Sequence, residues 1–203
     1  MKIQFKTLNF QSEFLFKDKG SKFIGYAKSC ANELEIKDFL GDLKKTHSQA
    51  THICYAFKYG VNKEVTRAND DGEPNNSAGT PILGQITSYD LTNVCIAVVR
   101  YYGGTKLGVG GLITAYKAAA KGAIDDNEII DKELSSSLSL EVNYEDFPYL
   151  MKLIKQNGVV LKKQIQEMNV TLELEVKNLI FEQFKQQIEH LKSIQIIQEI
   201  IQN

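Results

Sequence analysis

The first half of the chain contains short runs in which hydrophobic and polar residues alternate, as they do in strands with one buried face. Two aromatic-rich runs between residues 9 and 30 flank the tetrapeptide DKGS at 18–21. Glycine adopts a positive φ easily, so this pattern predicts a β-hairpin. The alternating run ATHICYAFKYG at 50–60 predicts a strand with Ile53 on one face and His52 on the other.

A spacing of three to four residues between apolar positions predicts two helices before residue 125. The first carries an apolar stripe from Ile36 to Leu43, and Asn32 forms a capping pair with Glu35 at its start. The second runs from Leu112 to about Ile124 and has an alanine-rich face. Between them, the apolar run NVCIAVVRYY at 93–102 predicts a buried central strand.

Two segments lack any periodicity. Residues 62–80, NKEVTRANDDGEPNNSAGT, are polar and rich in turn-forming residues, so we predict a long surface loop. A loop of this length inside a compact domain is typical of a functional segment. Residues 125–137, DDNEIIDKELSSS, are interpreted as a linker.

After the linker the pattern changes to strand, helix, strand, strand, helix, strand within about 68 residues. The first of these helices ends at Asn157-Gly158, where glycine suits the left-handed residue that closes a helix. This βαββαβ order predicts a ferredoxin-like plait. We therefore predict an α+β protein with two domains, at residues 1–130 and 136–203.

Composition narrows the class of protein. No run approaches the 18 apolar residues of a membrane span, and the start of the chain lacks the apolar segment of a signal peptide, so we expect a cytoplasmic location.

Residues 1–135 hold 17 basic and 16 acidic side chains, net +1, and residues 136–203 hold 7 and 9, net −2. Binding to nucleic acid would therefore need a local basic patch. Cys30, Cys54 and Cys95 are expected to be buried, reduced thiols.

A glycine-rich segment lies between the predicted central strand and the helix at Leu112. GGTKLGVGG at 103–111 has five glycines in nine residues, and it matches neither the Walker A nor the GxGxxG nucleotide motif. Bare backbone amides at a helix N-terminus favour anions, whereas a tight turn and close packing are the alternative explanation. Lys117 could add positive charge. The candidate ligand- or phosphate-binding residues are Arg100, Tyr101, Tyr102, Gly103, Gly104, Lys106, Gly108, Gly110 and Gly111.

The predicted loop also carries a cluster of carboxylates, Asp70, Asp71 and Glu73. Their spacing on a turn could offer oxygen ligands to magnesium. The alternative is a solvated acidic turn, or carboxylates paired with Arg67 or Arg100.

His52 could act as a general base if the protein is an enzyme, with Asp71 as the second candidate catalytic residue. A hydrogen-bonded structural histidine is the alternative. Tyr101 and Tyr102 must point to opposite faces if the strand persists, so one could stack on a base while the other fills the core.

The blocks THICYAF, NDDGEPNNSAGTPIL and VVRYYGGTKLGVGGLITAY resemble the IMPACT/YigZ family. The resemblance covers residues 17–125 as the IMPACT N-terminal domain, and residues 136–203 resemble the plait appended in bacterial members. The resemblance implies that the first domain has the fold of the second domain of a small-subunit ribosomal protein, and the tail that of a domain of elongation factor G. The matching signature positions are His52, Asp70, Asp71, Gly72, Glu73, Pro74, Gly79, Pro81, Arg100, Tyr101, Tyr102, Gly103, Gly104, Leu107, Gly108, Gly110, Gly111 and Tyr116.

Eukaryotic relatives in this family regulate translation initiation, so the leading hypothesis is a translation-associated binding protein. Its glycine-rich cleft would receive phosphate of RNA, of the ribosome or of a nucleotide, with no required cofactor. The alternatives are a magnesium-assisted enzyme acting on a small phosphorylated or carboxylated substrate, and a protein-interaction module, with a translation factor as a partner. Of these, a binding function is preferred to an enzymatic one.

Overall fold

A computed structural model describes residues 4–200, which divide between Lys132 and Glu133 into two compact units. The elements of the first unit are β1 (Gln4–Leu8), β2 (Ser12–Asp18), β3 (Ser21–Ser29), α1 (Glu33–Thr46), β4 (His52–Tyr59), β5 (Val65–Asn69), α2 (Gly79–Ser88), β6 (Val94–Tyr101), α3 (Gly108–Asp125) and β7 (Ile129–Glu133).

The first unit is built on a five-stranded antiparallel sheet in the order β2-β3-β6-β4-β5. As the apolar run at 93–102 predicted, β6 is central, and it is buried on both faces. One face packs against α1 through Ile36, Phe39 and Leu43. The other face packs against α2 and α3, and the small alanines of α3 allow a close approach.

The predicted hairpin, first helix and strand at 50–60 are all present. The turn between β2 and β3 has Lys19 and Gly20 at positive φ, which is the conformation expected of a two-residue hairpin loop. Asn32 caps α1, where its side-chain oxygen accepts from the Glu35 amide at 2.9 Å. In β4, Ile53 belongs to the core under α1, whereas Cys54 belongs to the core under α2 and α3.

Several predicted boundaries in this unit are wrong. Residues 62–80 do not form one loop, because β5 occupies 65–69 and pairs with β4 as an edge strand. An edge strand exposed along most of its length needs no apolar pattern, so periodicity missed it. Helix α2 was not predicted, and α3 begins at Gly108 rather than Leu112. Residues 129–133 of the predicted linker form β7, which pairs with β1.

The second unit has the predicted βαββαβ order. Its elements are β8 (Ser135–Val142), α4 (Phe147–Gln156), β9 (Val160–Gln166), β10 (Val170–Lys177), α5 (Phe181–Glu189) and β11 (Gln195–Ile200). The sheet order β11-β8-β10-β9 is that of a split βαβ plait, and every neighbouring pair is antiparallel. The helices contribute Leu150, Phe184 and Ile188 to a core over this sheet. The α+β fold class and the ferredoxin-like tail are therefore confirmed.

Candidate functional site

The first unit contains a cleft of about 460 Å³ that suits a ligand. It lies where the start of β4, the end of β6, the loop after β5 and the start of α3 meet. Its lining residues are Thr51, His52, Glu73, Pro74, Arg100, Tyr102, Lys106, Leu107, Gly108, Val109 and Leu112. The fold thus brings together candidate residues from three separate sequence segments.

A buried ion pair forms the floor of this cleft. Arg100 Nη1 donates to Glu73 Oε1 at 2.5 Å, and both side chains are more than nine-tenths buried. The same carboxylate oxygen accepts from the Tyr116 hydroxyl at 2.8 Å. Burial, together with Cys54 and Glu73, raises the pKa of Tyr116, so this hydroxyl remains a donor. Glu73 is therefore paired with Arg100, which is one of the two alternatives that the sequence left open.

Arg100 nevertheless has one buried N–H donor, at Nε, that makes no hydrogen bond within residues 4–200. Its guanidinium carbon lies 5.4 Å from the ring centroid of Phe23 and 5.5 Å from that of Tyr102, so two aromatic rings hold its plane. A buried donor without an acceptor is costly, and such atoms in native proteins call for a specific explanation.

The other two carboxylates of the acidic loop organise the backbone. Asp70 accepts from the amides of Asn76, Ala78 and Gly79 at 2.8–3.0 Å, and these amides lead into the first turn of α2. Asp71 accepts from the Ile53 amide at 2.7 Å. Both Asp70 oxygens and one Asp71 oxygen thus accept hydrogen bonds within the chain. No three His, Cys, Asp or Glu side chains of residues 4–200 are grouped as metal ligands.

The geometry fixes the tautomer of His52. Its Nδ1 lies 2.7 Å from the Asp71 carbonyl oxygen, which can only accept, so Nδ1 carries the proton. The second ring nitrogen, Nε2, lies 3.9 Å from Glu73 Oε1. A histidine held by a backbone carbonyl in this way is oriented for use of its second nitrogen.

The start of α3 is the electropositive wall of the cleft. Within the described residues no side chain caps this helix, and its first turn has no acidic residue. The first amides of a helix lack intrahelical acceptors, and the helix dipole adds partial positive charge there. Lys106 and Gly108 line the cleft at this point, and Gly110 lies in the same turn.

The five glycines of residues 103–111 differ in why, or whether, the structure requires glycine at each position. A Cβ on Gly103 would lie 1.9 Å from the Gly20 carbonyl carbon, so this residue is required by packing. Its amide already donates to Ser21 Oγ at 3.1 Å. Gly104 and Gly108 have positive φ, and a Cβ on Gly111 would meet Leu107 at 2.9 Å. Gly110 has neither restriction: its φ is not positive, and a Cβ there would meet nothing within 4 Å.

Tyr101, the last residue of β6, and Tyr102, the next residue, lie on different sides of the sheet, as predicted. The Tyr101 hydroxyl bonds to His47 Nδ1 at 2.8 Å, and the opposite nitrogen of that ring bonds to Tyr26 at 2.9 Å. This chain of hydrogen bonds ties the end of α1 to the sheet. Tyr102 is 47% exposed at the mouth of the cleft, and its amide donates to Thr51 Oγ1 at 3.1 Å.

The three cysteines are buried and free. Burial raises the pKa of the Cys30 and Cys54 thiols to about 12, and raises that of Cys95 as well. They are therefore protonated near neutral pH and unsuited to nucleophilic attack.

Sequence reasoning missed the roles of two residues at this site. It assigned no contact to Thr51, and it named Tyr116 only as a position of the family signature. Both residues act through hydrogen bonds between segments distant in the chain, at separations of 51 and 43 residues. No local pattern signals such pairs. Lys117, proposed as an additional cation, is not among the residues that line the cleft.

Comparisons with known proteins place this site in a family. A family model described as the Impact N-terminal domain matches residues 19–124. The IMPACT family member YvyE of Bacillus subtilis is 32% identical over 157 residues, which cover 77% of this chain and 72% of that protein. The IMPACT family member YigZ of Escherichia coli is 29% identical over 151 residues, covering 73% and 74%.

The solved structure of a hypothetical protein aligns over 97% of both chains, with a TM-score of 0.75 and 24% identity, which supports the fold alone. In the described residues, no helix is long and apolar enough to span a membrane. The matched segment, 19–124, contains every residue that lines the cleft. The family model and the Bacillus relative therefore confirm the predicted resemblance: this chain belongs to the IMPACT family.

Proposed function

We propose that this protein is a translation-associated regulatory protein whose first unit binds a phosphate-bearing ligand in the cleft at the start of α3. The assignment to translation is supported by membership of the IMPACT family. The ligand class is supported by the cleft itself. The proposal depends on one observation. The N-terminus of α3 has no side-chain cap, and it shares the cleft with Arg100, whose buried Nε has no acceptor in residues 4–200.

Both groups have the chemistry that an oxyanion requires. Amides at a helix N-terminus donate to phosphate oxygens, and a guanidinium edge does the same. The charge of Arg100 is compensated by Glu73, so the net attraction has to come from the helix end and from Lys106. Both oxygens of Asp70 and one oxygen each of Asp71 and Glu73 already accept hydrogen bonds within the chain, which supports this binding function over magnesium-assisted catalysis by the same carboxylates.

Gly110 offers a sharp test because a side chain fits there without strain. Gly110→Asp adds a negative charge to the first turn of α3, and Gly110→Asn has nearly the same shape without the charge. We expect AMP to bind the natural protein more tightly than adenosine does. Gly110→Asp should weaken AMP binding by roughly tenfold, whereas Gly110→Asn should leave most of it.

Isothermal titration calorimetry of AMP and adenosine with the three proteins measures these differences. Equal affinities for AMP and adenosine would show that the phosphate does not contribute to binding, which would contradict the proposal. Equal weakening by both Gly110 variants would mean that shape, rather than charge, controls the cleft.

A further inference from the structure

A second cavity adjoins the cleft at Tyr102. It measures about 350 Å³ and is lined by Gly20, Lys22, Ile24, Tyr101 and Tyr102. Tyr102 lines both cavities, so a ligand that fills the first can continue past this ring into the second. The backbones of Gly20 and Gly103 are in close contact, because a Cβ on either glycine would lie within 3 Å of the other residue.

The ring of Tyr102 is suited to stacking. It is 47% exposed, although a large aromatic side chain gains by burial, and the Arg100 guanidinium carbon lies 5.5 Å from its centroid. The arginine supports the ring from inside the protein. A nucleobase stacks on such a ring regardless of its identity, because every base has a π face.

Positive charge lies on both sides of this ring. Lys106 is exposed beside the cleft and Lys22 is exposed beside the second cavity. No acidic residue of the described chain lines the second cavity, and Glu73, the one acidic residue of the cleft lining, is paired with Arg100. The local charge is thus positive in a unit whose total charge is close to neutral.

From the shared ring and the flanking lysines we infer that the ligand is single-stranded RNA. One phosphate would lie at the start of α3, a base would stack on Tyr102, and the next phosphate would lie beside Lys22. This inference rests on the proposed phosphate site and extends it from one phosphate to at least two. Duplex RNA does not fit the inference, because its bases are already stacked on one another.

The test compares ligands of increasing length. Fluorescence anisotropy or competition with AMP, a dinucleotide, a tetranucleotide and a heptanucleotide of uridine should show affinity rising with length. A self-complementary RNA duplex and a labelled hepta-aspartate peptide serve as competitors. We expect both to bind at least tenfold more weakly than the single strand.

Variants then separate stacking from charge. Tyr102→Leu should weaken tetranucleotide binding by about 5- to 100-fold, and Tyr102→Phe, which keeps the ring, should restore it. Lys22→Gln should lower the slope of log affinity against log salt by about one, as expected when one phosphate contact is lost. Lys63→Gln is the matched control. His52 at the start of β4 lines the cleft, whereas Lys63 follows the other end of this strand. Thermal unfolding of each variant verifies that it is folded.

The outcomes distinguish this inference from the phosphate site on which it rests. If AMP binds through its phosphate but the tetranucleotide binds no more tightly, the second cavity takes no part and the inference is wrong. The same conclusion follows if Lys22→Gln and Lys63→Gln behave alike. If hepta-aspartate binds as tightly as RNA, the surface recognises charge alone and an acidic protein segment replaces RNA as the partner. If neither AMP nor RNA binds, the proposed function itself is wrong.

Discussion

Glu73 and Arg100 form an ion pair that contributes to stability and also lines the proposed ligand cleft. The pair is buried under the cleft, where the carboxylate oxygen that accepts from the arginine also accepts from Tyr116. Removing one charge of a buried pair leaves the other without compensation, and this loss is larger than the net contribution of the pair itself.

We expect Glu73→Gln to lower the free energy of unfolding by about 3 kcal/mol, because Arg100 then remains as an uncompensated buried cation. Urea denaturation followed by circular dichroism measures this change. The double variant Glu73→Gln/Arg100→Gln should be destabilised by less than the sum of the two single variants, with a coupling of about 1–3 kcal/mol. Additive losses would show that the two side chains do not stabilise each other.

At the scale of elements, the β2–β3 turn packs directly on the segment after β6, and Gly20 of this turn lines the second cavity. Gly20 and Gly103 approach so closely that a Cβ on Gly103 would lie 2.2 Å from both the Gly20 oxygen and the Ser21 nitrogen. Backbone atoms cannot yield as a flexible side chain can, so the two segments would have to separate.

Gly103→Ala should therefore destabilise the first unit by about 2 kcal/mol or more, through overpacking against backbone. Gly110→Ala is the contrasting variant. It places a methyl group in open space on a helix, so we expect stability to rise by roughly 0.5–1 kcal/mol. Thermal unfolding of both variants measures the difference. A destabilising Gly110→Ala would show that this position, too, has a packing constraint.

At the scale of the whole molecule, each unit has its own core. The second unit buries Leu140, Leu150, Leu172 and Phe184 between its sheet and its two helices, and all four are fully buried. Units that bury an apolar core of this kind can usually fold when separated.

We expect a fragment of residues 133–203 to unfold cooperatively in urea and to give a dispersed amide NMR spectrum. A fragment of residues 145–203 is the control, because it lacks β8, which pairs with both β10 and β11. That shorter fragment should show no cooperative transition. A non-cooperative transition in the longer fragment would show that its core depends on the rest of the chain.

Much of this protein was readable from local sequence, because the relevant signals act within a few residues. The alternation at 50–60 predicted which residues share each face of β4, and the apolar stripe of α1 and its Asn32 cap identified that helix. The element order after residue 135 identified the plait. The sequence blocks that resemble the IMPACT family contain the residues of the candidate site, so the resemblance identified these residues without any distance between them.

Only the tertiary structure decided the roles of those residues, because the deciding contacts join segments far apart in the chain. Asp70 caps α2, Glu73 pairs with Arg100, and Gly103 packs on the hairpin turn. The same residue types could equally have bound a metal or an anion. Edge strand β5 and the pairing of β1 with β7 were also invisible, since their stability comes from a neighbouring strand rather than from their own hydrophobic pattern.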